Sequence, residues 1–356
     1  MSKQVNNMKE ELLKSSEFVY KTAKTEVKRY PYLFIEEQMI NHLKNRLNCL
    51  GYEYISPNSS YKDFLNISSL SYYCSSCSIN IFSLYRSEEE ARKGILDVLD
   101  ALKMTIKDLF SINIVNGILP SNYEYVSLLI NKDNTSIRIG EFIFIQESDA
   151  FYVKGHINLN TLPSLITYHS DDSILKISSE IALTQISIIP HKMNEPGISK
   201  TCKEVEDLLQ NEGYRVKYFS STEPVNEKIN YSNLHAIPLR IEVSPKDLAK
   251  GVVKVYLSYD NSYQEVSLSS IAKNIKIILS RLNKNLYSSS INHNFECEQG
   301  TYDTYQINYL CPSCIQNLKD KEKEYFLPFN QNFMEERCKI CNNIATKRVI
   351  SLFKES

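Results

Sequence analysis

Apolar positions along the chain fall into runs whose spacing alternates between helix and strand periods. Ile35, Met39, Leu43, Leu47 and Leu50 recur at helical spacing, and Gly51 stands where a helix ends in a left-handed residue. Tyr52–Ile55 then alternates like a strand and stops before Pro57. Ser87 followed by Glu88, Glu89 and Glu90 predicts a helix start, a capping hydroxyl with acids in the first turn. Ala91, Ile95, Val98, Leu99, Leu102, Ile106 and Leu109 continue it as one apolar face. Strands are predicted at 112–116, 123–131, 136–146 and 150–155, and a helix at 159–168. Residues 58–80, rich in Ser, Asn and Tyr, read as loop or eroded structure. Residues 1–30 read as a charged amphipathic helix or a loosely held arm, anchored by Leu12, Leu13, Phe18 and Val19.

The last third has a tighter rhythm. A buried-type strand at 185–189 precedes a helix at 199–211, carried by Cys202, Val205, Leu208 and Leu209 and closed by Gly213. Strands follow at 214–219, 237–243 and 252–259, then a helix through Ile271, Ile275, Ile278 and Leu282. Strands alternating with helices at this spacing predict a small α/β domain with a mostly parallel sheet. No run approaches the about 18 apolar residues of a membrane span. The polar start of the chain, MSKQVNNMKEELLK, has no signal-peptide core, so a cytoplasmic location without a membrane partner is expected.

Composition narrows the chemistry. At 356 residues the chain is long enough for two or three domains. Its net charge of -1 excludes a uniformly basic nucleic-acid coat. Residues 183–290 nevertheless hold 14 Lys and Arg against 11 Asp and Glu, the best candidate for an anionic-ligand surface. The nine glycines are too dispersed for a dinucleotide-binding, P-loop or nucleophile-elbow motif, and the six histidines form no H-E-x-x-H pair.

The cysteines say more. Cys311-Pro-Ser-Cys314 and Cys338-Lys-Ile-Cys341 are two C-x-x-C knuckles, and together they supply the four sulfurs of a closed, structural zinc site. Disulfides or unrelated thiol pairs are the plainer reading. Cys74-Ser-Ser-Cys77 is a third such pair. It reads as ordinary thiols, as a second metal site drawing on Cys49 or Cys297, or as a redox pair.

One segment carries a specific resemblance. Residues 236–248, AIPLRIEVSPKDL, resemble the strand and turn of the anticodon-binding domain of prolyl-tRNA synthetases, class II aminoacyl-tRNA synthetases. The four-cysteine tail ending CNNIATKRVISLF is similar to the zinc-binding tail of the archaeal/eukaryotic type. Residues 87–117 resemble the helix and strand after motif 2. His169-Ser-Asp-Asp with 181–189 resembles the passage from motif 3 into the anticodon domain, and 31–57 resembles motif 1, where the family dimerises. The resemblance divides the chain into an arm (1–30), a degenerate catalytic domain with an antiparallel sheet (31–182), an anticodon-binding-like domain (183–290) and a zinc module (291–356).

The departures are equally specific. The stretch from Pro57 to Glu88 is too short for motif 2, and Arg86 is out of register with its arginine. The motif 3 arginine position falls on Asn160, and Glu141-Phe-Ile-Phe stands near the family's small, histidine-bearing strand. Losing charge-assisted contacts to buried phosphates removes several kcal/mol of transition-state stabilisation, so neither ATP use nor a catalytic residue is expected. Arg240 and Lys246 match family residues that contact anticodon bases, while a family Glu falls on Asn233 and a Lys on Gln264. Arg240 could equally form an ion pair with Glu242, and Lys246 could be a solvated turn residue. His169 with Asp171 and Asp172 reads as a structural turn. The resemblance implies a catalytically inactive paralogue that binds tRNA, proline tRNA among the candidates, and that dimerises with itself or with a true prolyl-tRNA synthetase. A divergent active proline–tRNA ligase and a nucleic-acid-binding accessory subunit are the alternatives.

Overall fold

The computed structural model describes residues 11–21, 26–55, 70–118, 125–132, 135–147, 150–171, 174–291, 300–301, 305–318, 323–328 and 336–353. The chain divides into two compact units. One gathers Met1–Met39, Asp108–Ser111 and Pro163–Ser289; the other gathers Ile40–Lys107, Ile112–Leu162 and Ser290–Ser356.

The first unit is built on a five-stranded sheet in the order Val216–Tyr218, Ile186–Pro190, Leu239–Val243, Val252–Leu257, Tyr263–Ser267. Ile186, Ile188, Leu239, Ile241, Val253 and Val255 turn to one face. There they meet Ile198, Cys202, Val205 and Leu209 of helix Ile198–Asn211, and Ile271, Ile275, Ile278 and Leu279 of helix Ile271–Ile291. Each such side chain contributes about 1.5–3 kcal/mol by leaving water, so this core holds the unit together. Gly197 and Gly213, at φ 84° and 88°, open and close the first helix.

The sheet is mixed, not mostly parallel. Ile186–Pro190 pairs parallel with both neighbours, but the last two pairings are antiparallel. A parallel return needs a crossover of a dozen or more residues, and the turns from Val243 to Val252 and from Leu257 to Tyr263 are too short for one.

Polar ties fix the chain around this sheet. Tyr259 Oη holds both the amide and the carbonyl of Ile177. Arg215 donates to the carbonyls of Ser179, Glu180 and Ala182. His169 Nε2 lies 3.0 Å from the Phe110 carbonyl and 3.1 Å from that of Ser111, and Asp171 pairs with Lys176, so the described part of this turn is structural. Asp172 lies outside the described residues. Near the N-terminus, Val19–Lys21 and Glu26–Lys28 form a two-stranded ribbon. Leu13, Phe18 and Val19 are buried, and Glu17 pairs with Arg29 and His235.

The second unit is an eleven-stranded, mostly antiparallel sheet. Its middle is Val115–Ile118, Tyr125–Lys132, Thr135–Glu147, Ala150–Asn158 and Ser78–Tyr85, each antiparallel to the next. Leu70–Cys74 and Glu53–Tyr54 extend one side; Lys323–Pro328, Lys347–Phe353, Tyr305–Leu310 and Gly300–Thr301 extend the other. Helix Glu88–Phe110 starts on Ser87 as the sequence indicates, with Ser87 Oγ accepting from the Glu90 amide. Ile95, Val98, Leu99, Leu102 and Ile106 are buried.

Residues 70–80 correct the loop expectation, forming a hairpin together with 81–85, while 58–69 lie outside the described residues. Ile79 and Ile81 alternate inward with Ser83, whose hydroxyl meets Tyr52 Oη at 2.6 Å. Among the described residues, no helix is long and apolar enough to cross a membrane.

Candidate nucleic-acid interface and metal centre

The five-stranded sheet has a second, polar face. Cross-strand register lines up Lys217, Ser187, Arg240, Tyr256 and Tyr263 there, one from each strand. Beside this row run Ile189, Glu242, Lys254 and Glu265. Strand periodicity is the cause: with Val253 and Val255 in the core, Lys254 and Tyr256 must point away. Helix Val225–Leu234 covers the Lys217 end, where Ser232 Oγ donates to Ser187 Oγ at 3.0 Å and Lys217 Nζ sits 3.7 Å from the Tyr231 ring centre.

Arg240 is the best-organised cation on this face. It is only 3% exposed. Its Nε donates to Glu242 Oε1 at 2.8 Å and its Nη2 to Asn261 Oδ1 at 3.4 Å, while the guanidinium lies 4.6 Å from the Tyr256 ring centre. His191 Nε2 engages the other Glu242 oxygen at 2.8 Å. The ion pair with Glu242 is therefore made, yet Arg240 Nη1 is buried without a partner.

Asn233 ends the last turn of helix Val225–Leu234, and its Oδ1 is also buried without a partner. Lys246 is exposed on the short helix Pro245–Leu248, which Ser244 caps by accepting from the Asp247 amide. No hydrogen bond or ion pair joins Asn233, Arg240 and Lys246 to one another. Asn233 precedes the central strand and Lys246 follows it, so about 17 Å of strand separates them. They can line a track but cannot meet on one base.

The sequence reading missed helix Val225–Leu234 and strand Tyr263–Ser267. Gln264 pairs with Val255 and so lies on the core side, leaving Tyr263 on the polar face. The alternation of Val252–Tyr256 carried the signal for Lys254 and Tyr256.

Burial alone would raise the Glu242 carboxyl, but hydrogen bonds from His191 and Arg240 outweigh it and hold the group below the usual 4.5. Such a group stabilises the fold fully above the unfolded carboxylate value, and the contribution is lost as pH falls through the lower folded value. The stability of this unit is thus expected to decline below about pH 4.5, and Glu242→Gln should flatten that decline. Thermal melts across the acid range measure both slopes; equal slopes would refute the assignment.

The four cysteines of the tail converge. Their Sγ atoms lie within 4.8 Å of one another, and all four thiols are free. Cys311 stands just before helix Pro312–Gln316, which places Cys314 one turn on; Cys338 and Cys341 sit on the turn of the hairpin Glu336–Arg337/Ile344–Ala345. Burial raises the Cys338 thiol, but backbone N–H groups of Cys341, Cys311 and Ile340 hold it down at about 6. Metal binding needs the thiolate form, and four soft sulfurs in this arrangement suit a tetrahedral ion such as zinc. They are the sole group of three or more metal-competent His, Cys, Asp or Glu side chains among the described residues.

Cys74 and Cys77 flank a strand-to-strand turn, and burial raises the Cys74 thiol. Neither feature favours a reactive thiolate. Cys297 lies outside the described residues. Asn160 is exposed on the short helical turn Leu159–Thr161, and Arg86 is exposed just before helix Glu88–Phe110. Phe142 is buried, pressed against Gly155.

Comparison with known proteins follows this geometry. The anticodon binding domain family matches residues 185–277, which include all five strands of the first unit's sheet. The chain is 23% identical over 213 residues to proline–tRNA ligase 2 of Bacillus anthracis, covering 55% of this chain and 42% of that protein. It is 21% identical over 235 residues to the proline–tRNA ligase of Aster yellows witches'-broom phytoplasma (strain AYWB), covering 59% and 49%. With the ligase of Phytoplasma australiense, identity is 29% over 196 residues, covering 54% and 39%. The chain thus matches less than half the length of these curated relatives.

Proposed function

From a chain that is prolyl-tRNA synthetase-like and carries an anticodon-binding domain, we infer that the protein binds tRNA through the polar face of its five-stranded sheet without activating proline. The observation that carries this reading is Arg240, a buried guanidinium on that face with one N–H group left unpaired. Single-stranded loop bases are read by side chains projecting from such sheets, and an unpaired buried donor is costly unless something meets it. Arg240 then serves a base edge, Lys246 a phosphate beyond the end of the strand, and Asn233 the opposite end of the track. Zinc on Cys311, Cys314, Cys338 and Cys341 has a structural part. A cytoplasmic location and pairing with itself or with a working synthetase accord with the same reading.

Proline-dependent ATP–pyrophosphate exchange, run beside filter binding of proline tRNA, tests it. No exchange is expected above a blank without protein, together with salt-sensitive tRNA binding. Lys246→Ala should weaken binding several-fold and reduce the salt slope by about one. Exchange above the blank would make the protein a working ligase, and equal affinity for duplex DNA and tRNA would favour the accessory-subunit reading.

A further inference from the structure

Tyr263 is out of place for a residue with only a structural job. It sits on the edge strand Tyr263–Ser267 and is 55% exposed, although Val253, Val255 and Val266 of the same sheet are buried. Its ring is nonetheless well positioned. The Tyr256 ring lies 5.0 Å away at 34°, and Tyr256 rests in turn on the Arg240 guanidinium at 4.6 Å. Lys254 Nζ lies 5.1 Å from the Tyr263 ring centre. The result is a row of cation, ring and tilted ring, ending in an exposed aromatic side chain with a second cation over it.

We propose that Tyr263, backed by Tyr256 and Arg240, is a platform on which one unpaired RNA base stacks. Two features select this occupant. An exposed aromatic ring held in place offers a π-face at low conformational cost. Lys254 beside the ring suits the phosphate that accompanies a splayed-out base. The row is fixed by backbone register, so the base is held at a set position on the sheet. The proposal rests on the tRNA-binding reading above and adds the residue that grips a base.

The test uses the full chain and an anticodon stem-loop RNA of proline tRNA, with 2-aminopurine placed in turn at each anticodon position. Stacking on an aromatic ring quenches this fluorophore. With the wild-type chain, one position is expected to quench on binding. Tyr263→Ala should weaken binding between about fivefold and about a hundredfold and abolish that quench, while Tyr263→Phe should restore both. Because Tyr263 is exposed, Tyr263→Ala should melt like the wild type. Unchanged affinity and quench in a folded Tyr263→Ala would overturn the platform and leave tRNA binding standing. Absence of RNA binding by the wild type would overturn both.

Discussion

Cys338→Ser is expected to release the metal from the tail and to open the backbone of residues 305–318 and 336–353 to hydrogen exchange. Among the described residues of this tail the buried cluster is Leu310, Cys311, Ile315, Cys338, Ala345 and Val349, and two of the six belong to the four-cysteine group. So small a core stabilises weakly, whereas a structural zinc site contributes roughly 10–16 kcal/mol of apparent binding free energy at neutral pH. Cys338 is the sensitive position because it is buried and its thiol is already held at about 6. Native mass spectrometry should find one zinc ion in the wild-type chain and none in the variant. Exchange protection should fall across 305–318 and 336–353 while the strands of the five-stranded sheet keep theirs. A wild-type chain without metal, or a variant with unchanged protection, would sink the zinc assignment.

The second large effect is expected from Arg240→Ala, which should lower stability by about 3–5 kcal/mol. Removing the guanidinium leaves Glu242 with His191 as its remaining partner, in a site where an uncompensated charge is costly. The comparison that isolates the pair is the double variant Arg240→Ala, Glu242→Gln. It no longer buries a carboxylate without its arginine, so it should be more stable than Arg240→Ala alone. Denaturant unfolding followed by the tyrosine signal measures all three. If the two substitutions simply add, the pair is not what holds this face together. The result also governs how RNA-binding data are read: loss of binding by Arg240→Ala reports the folding of the face as well as contact with a base. The exposed Tyr263 and Lys246 are the cleaner probes.

Much of this fold is legible from pattern alone, for identifiable reasons. Helix 199–211 could be read because its apolar residues keep strict spacing and Gly213 supplies a left-handed terminus. The four-cysteine cluster could be read because paired C-x-x-C spacing brings thiols together, and the fold does gather all four sulfurs. The hairpin at 70–85 was hidden because Ser71, Ser78 and Ser83 occupy buried positions where a pattern reading expects carbon. Part of that hydroxyl burial is satisfied by Tyr52, a partner remote in sequence. Strand Tyr263–Ser267 was hidden because Val266 is its single core residue. The burial of Arg240 was invisible for a different reason: arginine is ordinarily solvent-exposed, and here Glu242, Asn261 and Tyr256 together make burial tolerable. Sequence named the residue, but only the assembled sheet shows which of its nitrogens remains unpaired.

The mixed pairing of the five-stranded sheet has a consequence for how the protein comes into being. Strand Ile186–Pro190 must wait for Leu239–Val243 before its second parallel ladder can form, and the closure entropy of that long intervening segment delays it. The antiparallel meander of residues 239–267 faces no such delay, since each strand finds its partner across a short turn. Arg240, Tyr256 and Tyr263 all belong to that meander. On a chain emerging from the ribosome, their alignment can form locally and early, leaving the slow long-range step to the strands that frame it.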